Sequence, residues 1–317
     1  MAQAQETGTR SGRRLGRRIL AAPLIVLFLI LLYYGIGMIL VHEIDDDPDF
    51  AQRVEVPAGG SAAVALAAAL IDREVNRNRW VGNDPIFLPG ALLDNMPAYQ
   101  SGIIYALSRF AIELTDELAR VRGSSQIDPD ADAAAGRLKY PGDVWIFEWS
   151  STPVQPSSES QYRKAMEALR RYNERLGAGE AVFDRRADNL LATLDRIASD
   201  LGSASALLAE RIALGSRSWI DFEADDVFYA TKGRLYAYYL LLQGLGRDFA
   251  EVIKERNLGK VWDQMLATLR DASMLMPWVV TNGDMDGQFL PNHLAAQGFL
   301  LLRGRTQLRE VTNILLK

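Results

Sequence analysis

The sequence contains no cysteine. Disulfides, thiolate nucleophiles and cysteine-bound metals are therefore excluded. Histidine is almost as scarce, with His42 and His293 the two in 317 residues. A His-rich zinc site and most Ser-His-Asp arrangements have almost no material to work with. Positive charge is not in surplus: 35 Lys and Arg stand against 40 Asp and Glu, for a net charge of -5. Phosphate binding wants a basic face, so nucleic acid is not an expected partner. No phosphate-binding glycine loop, zinc helix signature or nucleophile elbow occurs.

What is abundant is apolar residues, at 49% of the chain, enough for a sizeable core. Their arrangement divides the sequence. Residues 1–18 form a basic tail with Arg10, Arg13, Arg14, Arg17 and Arg18 against Glu6. Ile19 to Val41 carries no charge. As a helix it is roughly 34 Å long, enough for a hydrocarbon core of about 30 Å. Its anchor residues include Ile19, Leu27, Tyr33, Tyr34 and Val41, with the tyrosines in the distal half where amphipathic rings reach an interface. The arginines before the span keep the N-terminus cytoplasmic by the positive-inside rule, which places the rest of the chain in the periplasm of a Gram-negative cell. A cleaved signal peptide is the rival reading. The apolar run is longer than a signal core and ends without an A-x-A-like site, which favours a retained anchor. Residues 42–60 read as a solvated acidic linker, with Glu43, Asp45, Asp46, Asp47 and Asp49.

Residues 61–317 read as helical. Ser61 is placed to cap the alanine-rich stretch Ala62 to Trp80. Gln100 to Arg122 has one apolar face, and Asp225 to Ile253 is apolar on several sides, which suits the centre of a bundle. Leu258 to Met276, Asn292 to Leu302 and Thr306 to Leu316 complete the set. Phe183, Ala187, Leu190, Leu194, Ile197, Leu201, Ala204 and Leu208 recur at four and three, a heptad seam. Tyr162 to Leu176 carries the same spacing, and the phase slips at Gly177-Ala178-Gly179. A hairpin there is favoured over one long helix. Val144 to Trp149 is the one strand-like piece, and the Ser/Pro-rich stretch after it marks a possible boundary near 150–158. The expected fold is all-α: a transmembrane helix followed by a helical-bundle periplasmic domain with a long heptad-patterned helix or hairpin.

Several stretches carry a family likeness: HEIDDDPDF after the span, LIDREV, NDPIFLPGALLDNMP, LSRFAIELTDELAR, GEAVFDRRADNLLATLDRIA and DDVFYATKGRLYAYYLLL. Through them the chain resembles a proteobacterial family of uncharacterised single-pass envelope proteins, domain of unknown function 2333. The resemblance covers almost the whole chain. It implies a membrane anchor and a helical ectodomain, and it transfers no catalytic residue.

Candidate sites are few. The seam residues Phe183, Leu190, Leu194, Ile197 and Leu201, and the aromatic arm Trp145, Phe147 and Trp149, are candidate partner-binding positions. The arm is as readily packed on the core as displayed to a partner or the bilayer surface. Asn282, Asp284 and Asp286 occupy positions one, three and five of a calcium-type loop, with Gly287 at six. Position twelve is His293, where a bidentate carboxylate is needed, so a plain turn competes with a calcium site. No other cofactor is expected. Asp221, Glu223, Asp225 and Asp226 cluster before the most apolar helix, where acids also complement the helix dipole. Three functions stay open: an envelope structural or interaction protein, a carboxylate-based hydrolase, or a lipid or small-ligand binder with a cavity beside Tyr236 and Tyr239. The seam, the arm and the missing catalytic signatures favour the first.

Overall fold

The computed structural model describes the backbone of residues 8–119, 127–147, 154–215, 221–284 and 290–317, and side chains from Ala22 onward except Phe222. Among these residues there are ten α-helices and no strand. They are α1 (Gly8–Val41), α2 (Ala62–Asp72), α3 (Asn95–Glu113), α4 (Pro129–Leu138), α5 (Ser158–Gly177), α6 (Ala187–Leu214), α7 (Phe222–Asp248), α8 (Ala250–Glu255), α9 (Gly259–Ser273) and α10 (His293–Leu315). Within α1, Ala22–Val41 is long and apolar enough to cross a membrane; most of it is exposed, and Tyr34, Gly37, Met38 and Val41 are half-buried.

The other helices form a bundle around α7, which packs against α2, α3, α6, α9 and α10. Small residues set its closest approaches. A Cβ on Gly233 would overlap the Tyr99 carbonyl of α3, and one on Gly102 would overlap the Ala230 carbonyl of α7. The two backbones therefore touch at a Gly–Gly crossing. Farther along α7, a Cβ on Gly244 would lie 2.5 Å from the Ala63 Cα of α2. Alanine serves the same end in α2, where Ala62, Ala63, Ala65, Ala67 and Ala68 are all buried. The N-terminus of α2 is held by both sequence neighbours and α7. Ser61 Oγ accepts from Val64 N (3.2 Å), and the Asp248 carboxylate accepts from Ala62 N (2.7 Å) and Ala63 N (3.0 Å). Unpaired helix-start amides thus gain a charged acceptor.

Both α2 and α3 end in a π-helical turn, Arg73–Arg77 and Leu114–Leu118. The C-terminal stretch predicted as two helices is one, α10, in which Gly304 lets Leu269 of α9 approach closely. The helices do break after Gly177, and Gly179 adopts a positive φ of 75°. Yet α5 and α6 do not bury their seams against each other. Helix α5 packs on α4 and α2, and α6 packs on α10 and α7. Val144–Phe147 is irregular rather than strand. Helices on both sides of residues 150–158 contribute to one core cluster.

Candidate functional site

The acidic run after α1 was expected to be solvated; Glu43 and Asp49 are exposed, but Asp45, Asp46 and Asp47 are half-buried. Residues 45–51 lie along α7 and are tied to it turn by turn. Lys232 Nζ donates to Asp46 Oδ2 (2.6 Å) and to the Leu275 carbonyl (2.8 Å). Tyr236 Oη donates to the Asp47 carbonyl (2.8 Å), and Tyr239 Oη to the Pro48 carbonyl (3.2 Å). Arg247 then donates to the Ala51 carbonyl at 3.3 Å. From α3, Tyr99 Oη donates to the Asp45 carbonyl at 2.8 Å.

A second layer braces this strap. Arg73, from the π-turn after α2, lies 3.3 Å from Asp45 and 2.8 Å from Glu74, and donates to Tyr236 Oη at 2.8 Å. Its guanidinium sits over the rings of Phe50 (4.8 Å) and Tyr236 (4.9 Å). Gln100 Nε2 donates to Glu74 Oε2 (3.2 Å) and the Arg79 carbonyl (2.9 Å). Lys232, Glu74 and Gln100 are fully buried. Burial pushes the Lys232 ammonium below its usual range, with Asp46 acting against that shift. Burial likewise pushes the Glu74 carboxyl up, and Arg73 opposes it. An ammonium without solvent contact persists only where it is paired and hydrogen-bonded. Asp46 therefore positions the strap as well as neutralising a core charge.

Where the strap leaves α7 it walls a groove shared with α2 and α5. The groove has a volume of about 600 Å³. Val64, Ala65, Ala68 and Leu169 give it an apolar floor, and Arg53, Arg77, Arg170 and Asp72 line its rim. Asp72 is within 3.4 Å of Arg77 and 3.5 Å of Arg170, so these rim charges compensate one another.

The family described as an uncharacterized protein conserved in bacteria (DUF2333) matches residues 19–216 and 214–316. The chain belongs to this family. No curated protein and no solved structure matches it. Family membership brings no assigned residue, so the site rests on the geometry of this chain.

That geometry redistributes the candidates from sequence. Phe183, Leu190, Leu194, Ile197 and Leu201 are at most 6% exposed. The seam is consumed by the chain's own core and offers no surface to a partner. Trp145 and Phe147 behave differently. Trp145 is half-buried, Phe147 is exposed, and their ring centroids are 5.4 Å apart. Phe87 joins them at 5.7 Å from Trp145. Trp149 and Asp286 lie outside the described residues.

In the proposed calcium loop, Asn282 is buried and its polar atoms are engaged. Its Nδ2 donates to the Arg211 carbonyl (2.9 Å), its Oδ1 accepts from Asn292 Nδ2 (3.0 Å), and its backbone bridges to Asn292. Asp284 is exposed. Among the described residues no three metal-ligating acid or histidine side chains converge. His293 Nδ1 accepts from Thr281 N at 3.0 Å, and burial lowers its pKa. Of the acids at the start of α7, Asp221 and Glu223 both bind Arg211. Asp225 and Asp226 meet Asp94 of the α3 N-terminus instead. Partial burial and Asp94 raise Asp225 to about 6 and Asp226 to about 7. The Asn95 amide, with its nitrogen turned toward the acid, donates to Asp225 Oδ2 at 2.6 Å. None of these acids lines the groove.

The anchor candidates are placed in two ways. Leu27 is exposed on α1, as a lipid-facing residue would be, and Val41 is half-buried at its end. The side chain of Ile19 lies outside the described set. Tyr33 and Tyr34 instead reach the loop before α3, with Tyr33 Oη donating to the Phe87 carbonyl at 3.0 Å and Tyr34 Oη to the Ile86 carbonyl. Sequence reasoning missed the strap and its receptors. The signal that could have found them was Lys232, the one lysine of the most apolar helix, in register with Tyr236 and Tyr239.

Proposed function

We propose that this chain is a single-pass protein of the bacterial inner membrane. Its periplasmic domain serves as a structural or interaction element of the envelope, with no catalytic activity assigned. The observation that carries this reading is the strap. A free linker would let the domain wander from its anchor, whereas residues 45–51 are hydrogen-bonded to α3 and α7 along their length. An enzyme acting on diffusible substrate has no need of such fixation. A scaffold that presents surfaces at a set height and angle does. Charge supports the orientation, with five arginines before the span and no Lys or Arg after it until Arg53.

Topology reporters fused after Lys317 test the orientation. Periplasmic reporter activity with a protected N-terminus is expected, and cytoplasmic activity would refute it. Cross-linking of the tagged full-length protein in native membranes, read by mass spectrometry, tests the interaction role. A reproducible envelope partner is expected. Turnover of a cell-wall or lipid substrate by purified protein, lost on mutation of one acid, would replace this reading with the hydrolase.

The groove favours a second reading, binding of a small amphipathic ligand. Its apolar floor and charged rim suit a molecule with both characters, and its volume falls in the range of small-molecule sites. Ala68→Trp would fill the floor, so ligand recovered with native protein and absent from this variant would establish it.

A further inference from the structure

We infer that the end of the ectodomain beside α1 is itself a lipid-facing surface, with two apolar loops that enter the leaflet on the ectodomain side. This rests on α1 spanning the membrane. Residues 45–51 contact Lys232, Tyr236, Tyr239 and Arg247 in that order, so the strap runs from the N-terminal toward the C-terminal end of α7. The N-terminal end of α7 thus faces the bilayer. Two loops with strongly exposed apolar side chains lie at this end.

The first loop is bound directly to the span. Tyr33 and Tyr34 donate to the carbonyls of Phe87 and Ile86, and Gly37 is in close contact with Pro89. A hydrocarbon core of about 30 Å takes roughly 20 helical residues. Counted from Arg18, the last charge before the span, it ends near Met38. Tyr33 and Tyr34 then lie about 6 Å inside that edge at the helical rise. Their side chains reach back to that edge, so the loop bonded to their hydroxyls is held at the interface, with its apolar side chains within reach of the acyl chains. It holds Ile86 at 84% exposure and Phe87 at 57%, with Phe147 at 61% beside them through Trp145. In water this exposed cluster is unfavourable, and in acyl chains its burial is favourable.

The second loop is placed by Lys232, which binds the Leu275 carbonyl with the same ammonium that holds Asp46. It shows Met276 at 61%, Trp278 at 103% and Val279 at 55% exposure. A tryptophan so open to solvent suits the headgroup boundary, where its ring is buried and its indole N–H stays hydrated.

The absence of native cysteine gives a clean test. Full-length Phe87→Cys, Trp278→Cys, Leu27→Cys and Leu316→Cys are each labelled with an environment-sensitive fluorophore in proteoliposomes of zwitterionic lipid. Leu316 is 68% exposed at the C-terminal end of α10, whose first residue, His293, accepts from Thr281 N just past the second loop. Quenching by nitroxide-bearing lipids and by aqueous iodide is then read. Lipid quenching and loss of iodide quenching at 87 and 278, as at 27, with the reverse at 316, is the expected result. If 87 and 278 behave like 316 while 27 is lipid-quenched, the span is sound and the docked face is overturned. If 27 also escapes lipid quenching, the spanning reading itself falls, and the docked face with it.

Discussion

Removal of the Asp46 carboxylate is the sharpest perturbation of the strap. In Asp46→Ala the Lys232 ammonium, without solvent exposure, keeps only the Leu275 carbonyl. Breaking a buried ion pair by deleting one partner costs about 3–5 kcal/mol. The Asp46 side chain is 21% exposed, so water can partly replace it and the low end applies, about 3 kcal/mol. Lys232 can relieve the cost by losing its proton. Its folded pKa is already lowered by burial, so the folded state binds fewer protons than the unfolded state below the ordinary lysine pKa. Stability then rises with pH, by up to about 1.4 kcal/mol per unit. Asp46→Ala enlarges that effect, so its deficit against the native protein narrows between pH 7 and pH 9. Urea unfolding of full-length protein in nanodiscs, followed by tryptophan fluorescence, measures both quantities. Trypsin cleavage at Arg53 should also accelerate as the strap loosens. Adding Lys232→Met should recover most of the loss, because an apolar chain replaces the stranded charge. A deficit under about 0.5 kcal/mol, the ordinary range of a surface change, or one equal at both pH values would refute the reasoning.

Three further outcomes follow from the packing. Gly233→Ala drives a Cβ into the Tyr99 carbonyl and should cost about 3 kcal/mol or more in chemical denaturation. Gly136→Ala, in α4 with nothing within 4 Å, should stabilise by about 0.5–1 kcal/mol. Leu194→Ala should destabilise by about 2–5 kcal/mol, as a core truncation does, with partner capture unchanged while the protein remains folded. For Asp225 and Asp226, the raised pKa values mean that the folded state holds protons the unfolded state has released. Their contribution to stability therefore falls as pH rises from about 4 through about 7. Asp226→Asn should flatten that slope in pH-dependent melting. Asp226 is only partly shielded and keeps much of its surface in solvent, so the effect should be modest and weaken with salt.

Periodic and compositional features are legible in the chain's own order of residues. The uncharged run Ile19 to Val41, the Ser61 cap, the apolar belt of α7 and the heptad spacing of α6 each reflect forces acting within one segment, and each forms a helix, although the one expected to run to Ile253 ends at Asp248 and α8 follows. The all-α class follows from them, because helices with apolar faces must bury those faces on one another. Partner choice is not a local property. The spacing of Leu190, Leu194 and Leu201 states that a face is apolar, but the same spacing serves a core helix or an interface, and only α10 and α7 closing over it decide. Charge is undecided in the same way. Asp45, Asp46 and Asp47 read as a hydrated linker until Lys232, 186 positions from Asp46, supplies a buried counter-charge. Burial of an acid depends on a partner that no local window contains, and exposure of Phe87 and Trp278 depends on a surface that no helical period records. Composition and periodicity settle which segments are helical and which one is fit to cross a bilayer. Which apolar faces are spent inside the chain, and which are left for a membrane, is settled by how the helices close on one another, because burial belongs to pairs of segments that lie far apart in sequence.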